Sequence, residues 1–140
     1  MADGIESDGW VLDTNVVVSG LLSPHGPPGR LIDMVLVRHL RLAVDDRIIA
    51  EYREVLSRPK FAIQPDRLQA VLNLIRYQQG VVSRPVPGMS ALENADTVFL
   101  EAAAAADNIL VTGNLRHFPE QTRGPVEVLT PTEAWRRLNH

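Results

Sequence analysis

Three carboxylates are singled out by where they fall against the apolar pattern. Asp13 ends the apolar run Trp10-Val11-Leu12 and is followed by Thr14, Asn15 and a second apolar segment, Val16-Val17-Val18. A strand that stops in Asp, with a polar turn leading into a helix, puts that carboxylate at the carboxyl edge of a sheet. In α/β sheets this edge carries ligands and chemistry. Capping of the following helix accounts for an Asp there equally well. Glu51 lies in a helical pattern from about Arg47 to Ser57, whose apolar face is Ile48, Ile49, Tyr52, Val55 and Leu56. On the helical wheel Glu51 sits on the shoulder, about 100° from the centre of that face, and Glu54 points to solvent at about 160°. Asp96 lines up with Leu100 and Ala103 on an apolar stripe. A carboxylate on such a stripe needs a partner, because an unpaired buried charge is costly, and an Arg would serve as well as a metal. Glu93, one turn earlier, has a structural role in the capping box Ser90-Ala91-Leu92-Glu93.

The turn Thr112-Gly113-Asn114 directly follows the apolar run Ile109-Leu110-Val111. In a parallel sheet it emerges at the same edge as Asp13. Gly113 would let the backbone approach a ligand, and Thr112 and Asn114 offer neutral oxygens that can orient water. An ordinary turn explains Gly-Asn just as readily. Carboxylates and neutral oxygens without His or Cys are hard ligands, which favour Mg²⁺ or Mn²⁺ over zinc. Such a set suits in-line attack of water on a phosphodiester. His25, His39 and His117 are scattered, and His117 beside Phe118-Pro119 reads as a packing or loop residue.

The composition permits this chemistry. The chain has 140 residues, 45% hydrophobic and 22% charged, which suits one globular domain with a single core. It has no cysteine, which excludes a disulfide framework and a thiolate metal site. No apolar run is long enough to span a bilayer, and the polar, acidic start is unlike a signal peptide. Together these point to the cytoplasm. A net charge of −3 argues against a broad electrostatic surface for nucleic acid. It does not argue against a nuclease, since bound cations can attract phosphate to a carboxylate cluster. Lys60 is the only lysine and the other basic side chains are Arg. Arg suits bidentate phosphate contacts, although GC-rich codon usage is the simpler cause of the bias.

The elements that must position these groups alternate. Residues 1–8 read as a disordered leader and 9–140 as a single domain. Strand 10–13 leads into a helical segment, Asn15 to Leu22, broken by Ser23-Pro24-His25-Gly26-Pro27-Pro28-Gly29. A helix then opens at Pro27 or Pro28 and ends near His39, and Leu40 to Val44 reads as a second strand. Asp45 or Asp46 caps the helix carrying Glu51, which Pro59 stops. Another helix runs from about Pro65 to Gln79, and Val81-Val82 is a short third strand. The Ala-rich helix carrying Asp96 follows and lasts to Ala106. Strand 109–111, a short helical piece around Leu115 to Phe118, strand 126–129 and a final helix from Pro131 to about Leu138 complete the chain. Short strands with little alternation suggest a parallel sheet covered on both faces. The expected architecture is an α/β/α sandwich, Rossmann-like, with roughly five parallel strands.

Taken in order, several segments resemble the PIN-domain family, in the subgroup that supplies toxin components of bacterial toxin–antitoxin pairs. They are Val11-Leu12-Asp13-Thr14-Asn15-Val16 with Ser19-Gly20-Leu21-Leu22-Ser23; Ile49 through Pro59; Asp96-Thr97-Val98-Phe99-Leu100-Glu101-Ala102-Ala103; Leu110-Val111-Thr112-Gly113-Asn114; and Leu129-Thr130-Pro131. The ordered set spans nearly the whole chain. The resemblance implies a metal-dependent endoribonuclease acting on single-stranded RNA. By carry-over, Asp13, Glu51 and Asp96 match the family's acidic, metal-holding positions. Where many relatives have a fourth acid this chain has Asn114, which is also frequent there. One firmly held Mg²⁺ or Mn²⁺, with a second recruited by substrate, is therefore expected.

In this reading Thr112, Asn15 and Asn114 position water or phosphate, and Arg53, Arg84 and Arg116 contact the RNA. The resemblance further implies a cognate antitoxin over the acidic cleft and a homodimer. Two rivals stand beside it. One is a domain that binds RNA or protein without cutting. The other is a phosphatase with Asp13 as nucleophile, which usually wants a second acid two positions on, where this chain has Asn15.

Overall fold

The computed structural model describes residues 9–76 and 94–139. Its centre is a three-stranded parallel sheet in the order β1-β2-β3, formed by Val11–Leu12 (β1), Ile109–Val111 (β2) and Glu127–Leu129 (β3). Val11 pairs with Leu110 and Leu12 with Val111; on the other side Ile109, Leu110 and Val111 pair with Glu127, Val128 and Leu129. Val11, Leu12, Leu110 and Val111 are wholly buried, as befits parallel strands covered by helices.

The described residues show three strands where the sequence leads to about five. Leu40 to Val44 carries bridge residues at Leu42 and Val44 in place of a strand, and Leu42 pairs in parallel with Trp10 on the free side of β1. The amide of Trp10 donates to Arg41 O (2.9 Å) and the amide of Ala43 to Trp10 O (2.8 Å). The segment is confined between Arg38, whose φ of 64° ends the preceding helix, and Asp45, whose side chain starts the next. Val81-Val82, the Ser90–Glu93 capping box, Arg84 and residues 1–8 lie outside the described residues.

Six helices surround the sheet among the described residues: α1 (Thr14–Leu22), α2 (Pro27–Leu36), α3 (Asp46–Leu56), α4 (Pro65–Arg76), α5 (Asn94–Ala104) and α6 (Pro131–Leu138). Their starts follow from local chemistry. Asp45 Oδ1 accepts from Ile48 N at 3.0 Å and so caps α3. Thr130 and Glu133 form a reciprocal capping box on α6, with Pro131 at its first position. α5 packs on β1 and β2, α6 on β3 and α2, and α3 on α1, α4 and α5. α1 and α2 approach closely because Gly20 and Gly29 face the other segment. A Cβ on Gly20 would meet Ile32 Cγ1 at 2.6 Å, and one on Gly29 would meet Pro24 O at 2.2 Å. No helix among the described residues is long and apolar enough to cross a membrane.

Candidate active site

The parallel pairing continues past the strand ends and brings two polar residues together. Asp13 N donates to Val111 O (2.8 Å), and Thr112 N donates to Leu129 O (2.9 Å). Asp13 and Thr112 therefore leave neighbouring strands at the same edge. Asp13 is buried, at 7% exposure, and Thr112 completely so. Asp13 Oδ1 accepts from Thr14 N at 2.8 Å, so the residue does cap α1. Its Oδ2 accepts from Thr112 Oγ1 at 2.7 Å. Thr112 Oγ1 in turn accepts from Asn114 N at 3.0 Å, and Asn15 Oδ1 accepts from Gly113 N at 3.0 Å. Asp13, Thr112 and the backbone of Asn114 thus form one hydrogen-bonded network across the β1 and β2 ends, and a separate bond ties Asn15 to the Gly113 backbone beside it. Capping and membership of a polar site coexist at Asp13.

Burial is the largest influence on the Asp13 carboxyl and pushes it above the ordinary range. The charge of Asp96 acts in the same direction. Hydrogen bonds from Thr112 and Thr14, and the positive charge of His117 when protonated, hold it down. Asp96 belongs to the first turn of α5, and Leu100 and Ala103 further along that stripe are fully buried. The Asp96 side chain keeps 20% exposure, and its Oδ1 lies 3.9 Å from His117 Nδ1.

His117 was not legible from the pattern as a site residue. The packing in this turn is done by Phe118, which is fully buried, while the His117 side chain is 55% exposed beside Asp96. The signal for it was a titratable residue one short turn after Thr112-Gly113-Asn114, immediately before a buried aromatic.

Tyr52 was also read only as part of an apolar face. It is fully buried, and its hydroxyl donates to the carbonyl of Leu12. Burial, aided by the charges of Asp13 and Asp45, pushes this phenol far upward, so it stays a neutral donor. The bond fastens α3 to the end of β1, one residue before Asp13. Glu51 immediately precedes Tyr52 on α3 and is partly exposed. Glu54 is exposed and pairs with Arg58 at 2.8 Å. Arg47 ties α3 to α5 through Glu101 (2.8 Å) and also holds Asp45 (3.0 Å). The charge of Asp96 thus reaches Asp13, and Glu51 lies beside the α3 anchor. Among the described residues, no group of three or more His, Asp or Glu side chains is gathered closely enough to hold a metal ion. Arg53 and Arg116 are exposed, on α3 and on the turn Leu115–His117.

A family model for the PIN domain matches residues 10–116, from the bridge beside β1 into the turn Leu115–His117. The chain belongs to the PIN-domain family. PIN domains are typically metal-dependent nucleases with an α/β fold, and they use divalent ions. No curated protein and no solved structure matched the chain. Among the described residues of this PIN domain, the oxygen donors Asp13 and Asp96 are of the kind a divalent cation takes, although no third His, Asp or Glu is gathered with them. Two carboxylates, one of them buried, disfavour each other's charge at one sheet edge, and a cation relieves that repulsion. Each Asp13 oxygen accepts one hydrogen bond, whereas a carboxylate offers about four acceptor positions in all. Thr14 Oγ1, one residue from Asp13, is buried without a hydrogen-bond partner.

Proposed function

We propose that this PIN domain is an Mg²⁺- or Mn²⁺-dependent endoribonuclease that cuts single-stranded RNA, and that it is the toxin of a toxin–antitoxin pair working in the cytoplasm. The observation that carries the reading is the buried Asp13 carboxylate, held by Thr112 at the sheet edge and electrostatically coupled to Asp96. Asp13 and Asp96 hold the ion. Glu51 completes the set from α3, whose neighbouring Tyr52 is anchored to Leu12. When bound, the ion makes water a better nucleophile and offsets charge on the leaving oxygen.

The chain's own groups supply position. Thr112 fixes the rotamer of Asp13. Asn15 holds the backbone of Gly113, which leaves the Asn114 side chain to orient water or a phosphate oxygen. Water adds at phosphorus, the P–O ester bond breaks, and the leaving oxygen takes up a proton. Arg53 and Arg116 contact flanking phosphates, with Arg84 as a third candidate. An antitoxin places an Arg side chain over the acidic pair, and the active species is a homodimer.

The phosphatase reading loses ground on one observation. Asn15, at the position where a second acid is wanted, already accepts the Gly113 amide. The test is incubation of internally labelled single-stranded RNA with the protein, with and without EDTA. Internal cleavage that stops with chelation and returns with Mn²⁺ is expected, with a chromogenic phosphate monoester left intact. Cleavage that survives chelation sinks the metal mechanism. RNA binding with no cleavage in either wild type or Asp13→Asn establishes the non-cutting alternative.

A further inference from the structure

The turn Leu115–His117 follows the candidate site directly, and none of its three residues is buried. Leu115 keeps 39% exposure, Arg116 is exposed, and the His117 side chain keeps 55%. A single exposed leucine is ordinary, but this one stands on a backbone tied into the site. Asn114 N donates to Thr112 Oγ1 (3.0 Å), and that hydroxyl donates to Asp13 Oδ2 (2.7 Å). His117 N donates to Asn114 O (3.2 Å) and Phe118 N to Leu115 O (3.0 Å). Next in the chain, Phe118 is fully buried, and its carbonyl accepts from Arg123 Nε at 2.8 Å. The end of the turn reaches the second carboxylate, with His117 Nδ1 3.9 Å from Asp96 Oδ1. An apolar, a cationic and a flat heterocyclic side chain are thus presented to solvent together, on a fixed backbone, at the rim of the site.

We propose that this turn is the base-contacting edge of the site. The imidazole of His117 stacks on the nucleobase adjoining the phosphate to be cut, Leu115 packs against the edge of that base, and Arg116 holds the neighbouring phosphate. Such a seat rests on the RNA substrate proposed above, and it asks for no metal ligand from the turn. Unstacked bases of single-stranded RNA are commonly held on aromatic side chains, His among them, and Arg suits phosphate. The backbone of the turn is already ordered, so it loses little further freedom on binding. Stacking and apolar contact carry no hydrogen-bond code. The preference among bases is therefore modest and follows stacking strength, with A above U. In one rival account His117 is only a counter-charge for Asp96. In the other a protein partner covers the turn, and no base touches it.

The experiment uses the full chain in EDTA, to keep RNA uncut while binding is measured. Dissociation constants are read by fluorescence anisotropy for short labelled homo-oligomers of A and of U, and for an abasic oligomer of the same length. Wild type, Leu115→Ala, His117→Ala and His117→Phe are compared. Leu115→Ala and His117→Ala are each expected to weaken binding of the A oligomer about tenfold and to leave the abasic oligomer unchanged. His117→Phe should restore binding, since Phe keeps a stacking face without the charge. Leucine-methyl NMR of wild type should show an upfield ring-current shift at Leu115 with the A oligomer and none with the abasic one. Equal binding of base-bearing and abasic RNA by wild type overturns the inference. So does a His117→Ala loss that is as large on abasic RNA and that Phe does not restore, which assigns His117 to counter-charge. In both cases the RNA-cutting reading stands. Failure of wild type to bind any RNA, in EDTA or with Mg²⁺, overturns both. Should a variant misfold, the Leu115 methyl shift of wild type still decides the matter.

Discussion

Asp13→Asn should stabilise the metal-free protein, and the structure gives both sign and size. The folded environment raises the Asp13 carboxyl above its unfolded value, chiefly through burial. A group raised in this way contributes stability that is fully present below its unfolded pKa and lost as pH rises through the folded one. At neutral pH the ionised Asp13 is therefore a net cost. Asn keeps the shape. Its oxygen still accepts from Thr14 N, and its amide can donate to Thr112 Oγ1, which has a second lone pair besides the one taken by Asn114 N. Two charge-assisted bonds become neutral ones, a loss of about 1 kcal/mol each. Against this stands the desolvation of a buried carboxylate, which remains several kcal/mol after relaxation.

The difference is a gain of about 1–2 kcal/mol, or about 3–6 °C in Tm for a chain of this size. Calorimetric melts in EDTA at neutral pH should show it, and the gap should close as the pH falls below the carboxylate range. Mn²⁺ at about a hundredfold over its Kd adds about 2.7 kcal/mol to wild type alone and reverses the order. An Asn variant that melts below wild type in EDTA, or a gap that does not close in acid, would refute the reasoning.

Three further outcomes follow from the packing. Tyr52→Phe leaves the Leu12 carbonyl buried without its donor, which should cost about 1–3 kcal/mol in urea denaturation. Thr112→Val removes one of the bonds that hold Asp13 down, so the Asp13 carboxyl should titrate at higher pH in the metal-free protein. Carboxyl-carbon NMR should show this shift, and Thr112→Ser should not produce it. Gly29→Ala forces a Cβ against the backbone of Pro24 at 2.2 Å, so the loop joining α1 to α2 must shift. Overpacking of that kind should lower stability by about 1–3 kcal/mol, read from the chemical midpoint.

What the sequence made legible depended on periodicity. Asp13 stood out because an apolar strand ended in it, and Asp96 because it shared a stripe with Leu100 and Ala103. Both positions are set by repeating geometry, which a single chain displays. At Asp13 the helix cap and the contact across the sheet edge coexist, because one carboxylate has two oxygens and each accepts one of the two bonds. Leu40 to Val44 lies beside β1 as the pattern suggests but pairs through bridge residues, and a bridge and a strand have the same composition. His117 and Tyr52 were missed for a different reason. Their roles come from a tight turn and from a hydroxyl reaching a carbonyl on a distant strand, and no local pattern encodes either.

The bond from Thr112 to Asp13 spans 99 positions along the chain, and that from Gly113 to Asn15 spans 98. Contacts so far apart in sequence close late, after the intervening loop entropy has been overcome. During synthesis the Asp13 carboxylate emerges early but has no neighbour to hold it until β2 and the turn after it have left the ribosome. The candidate site on β1 therefore cannot assemble until the end of β2 has been made.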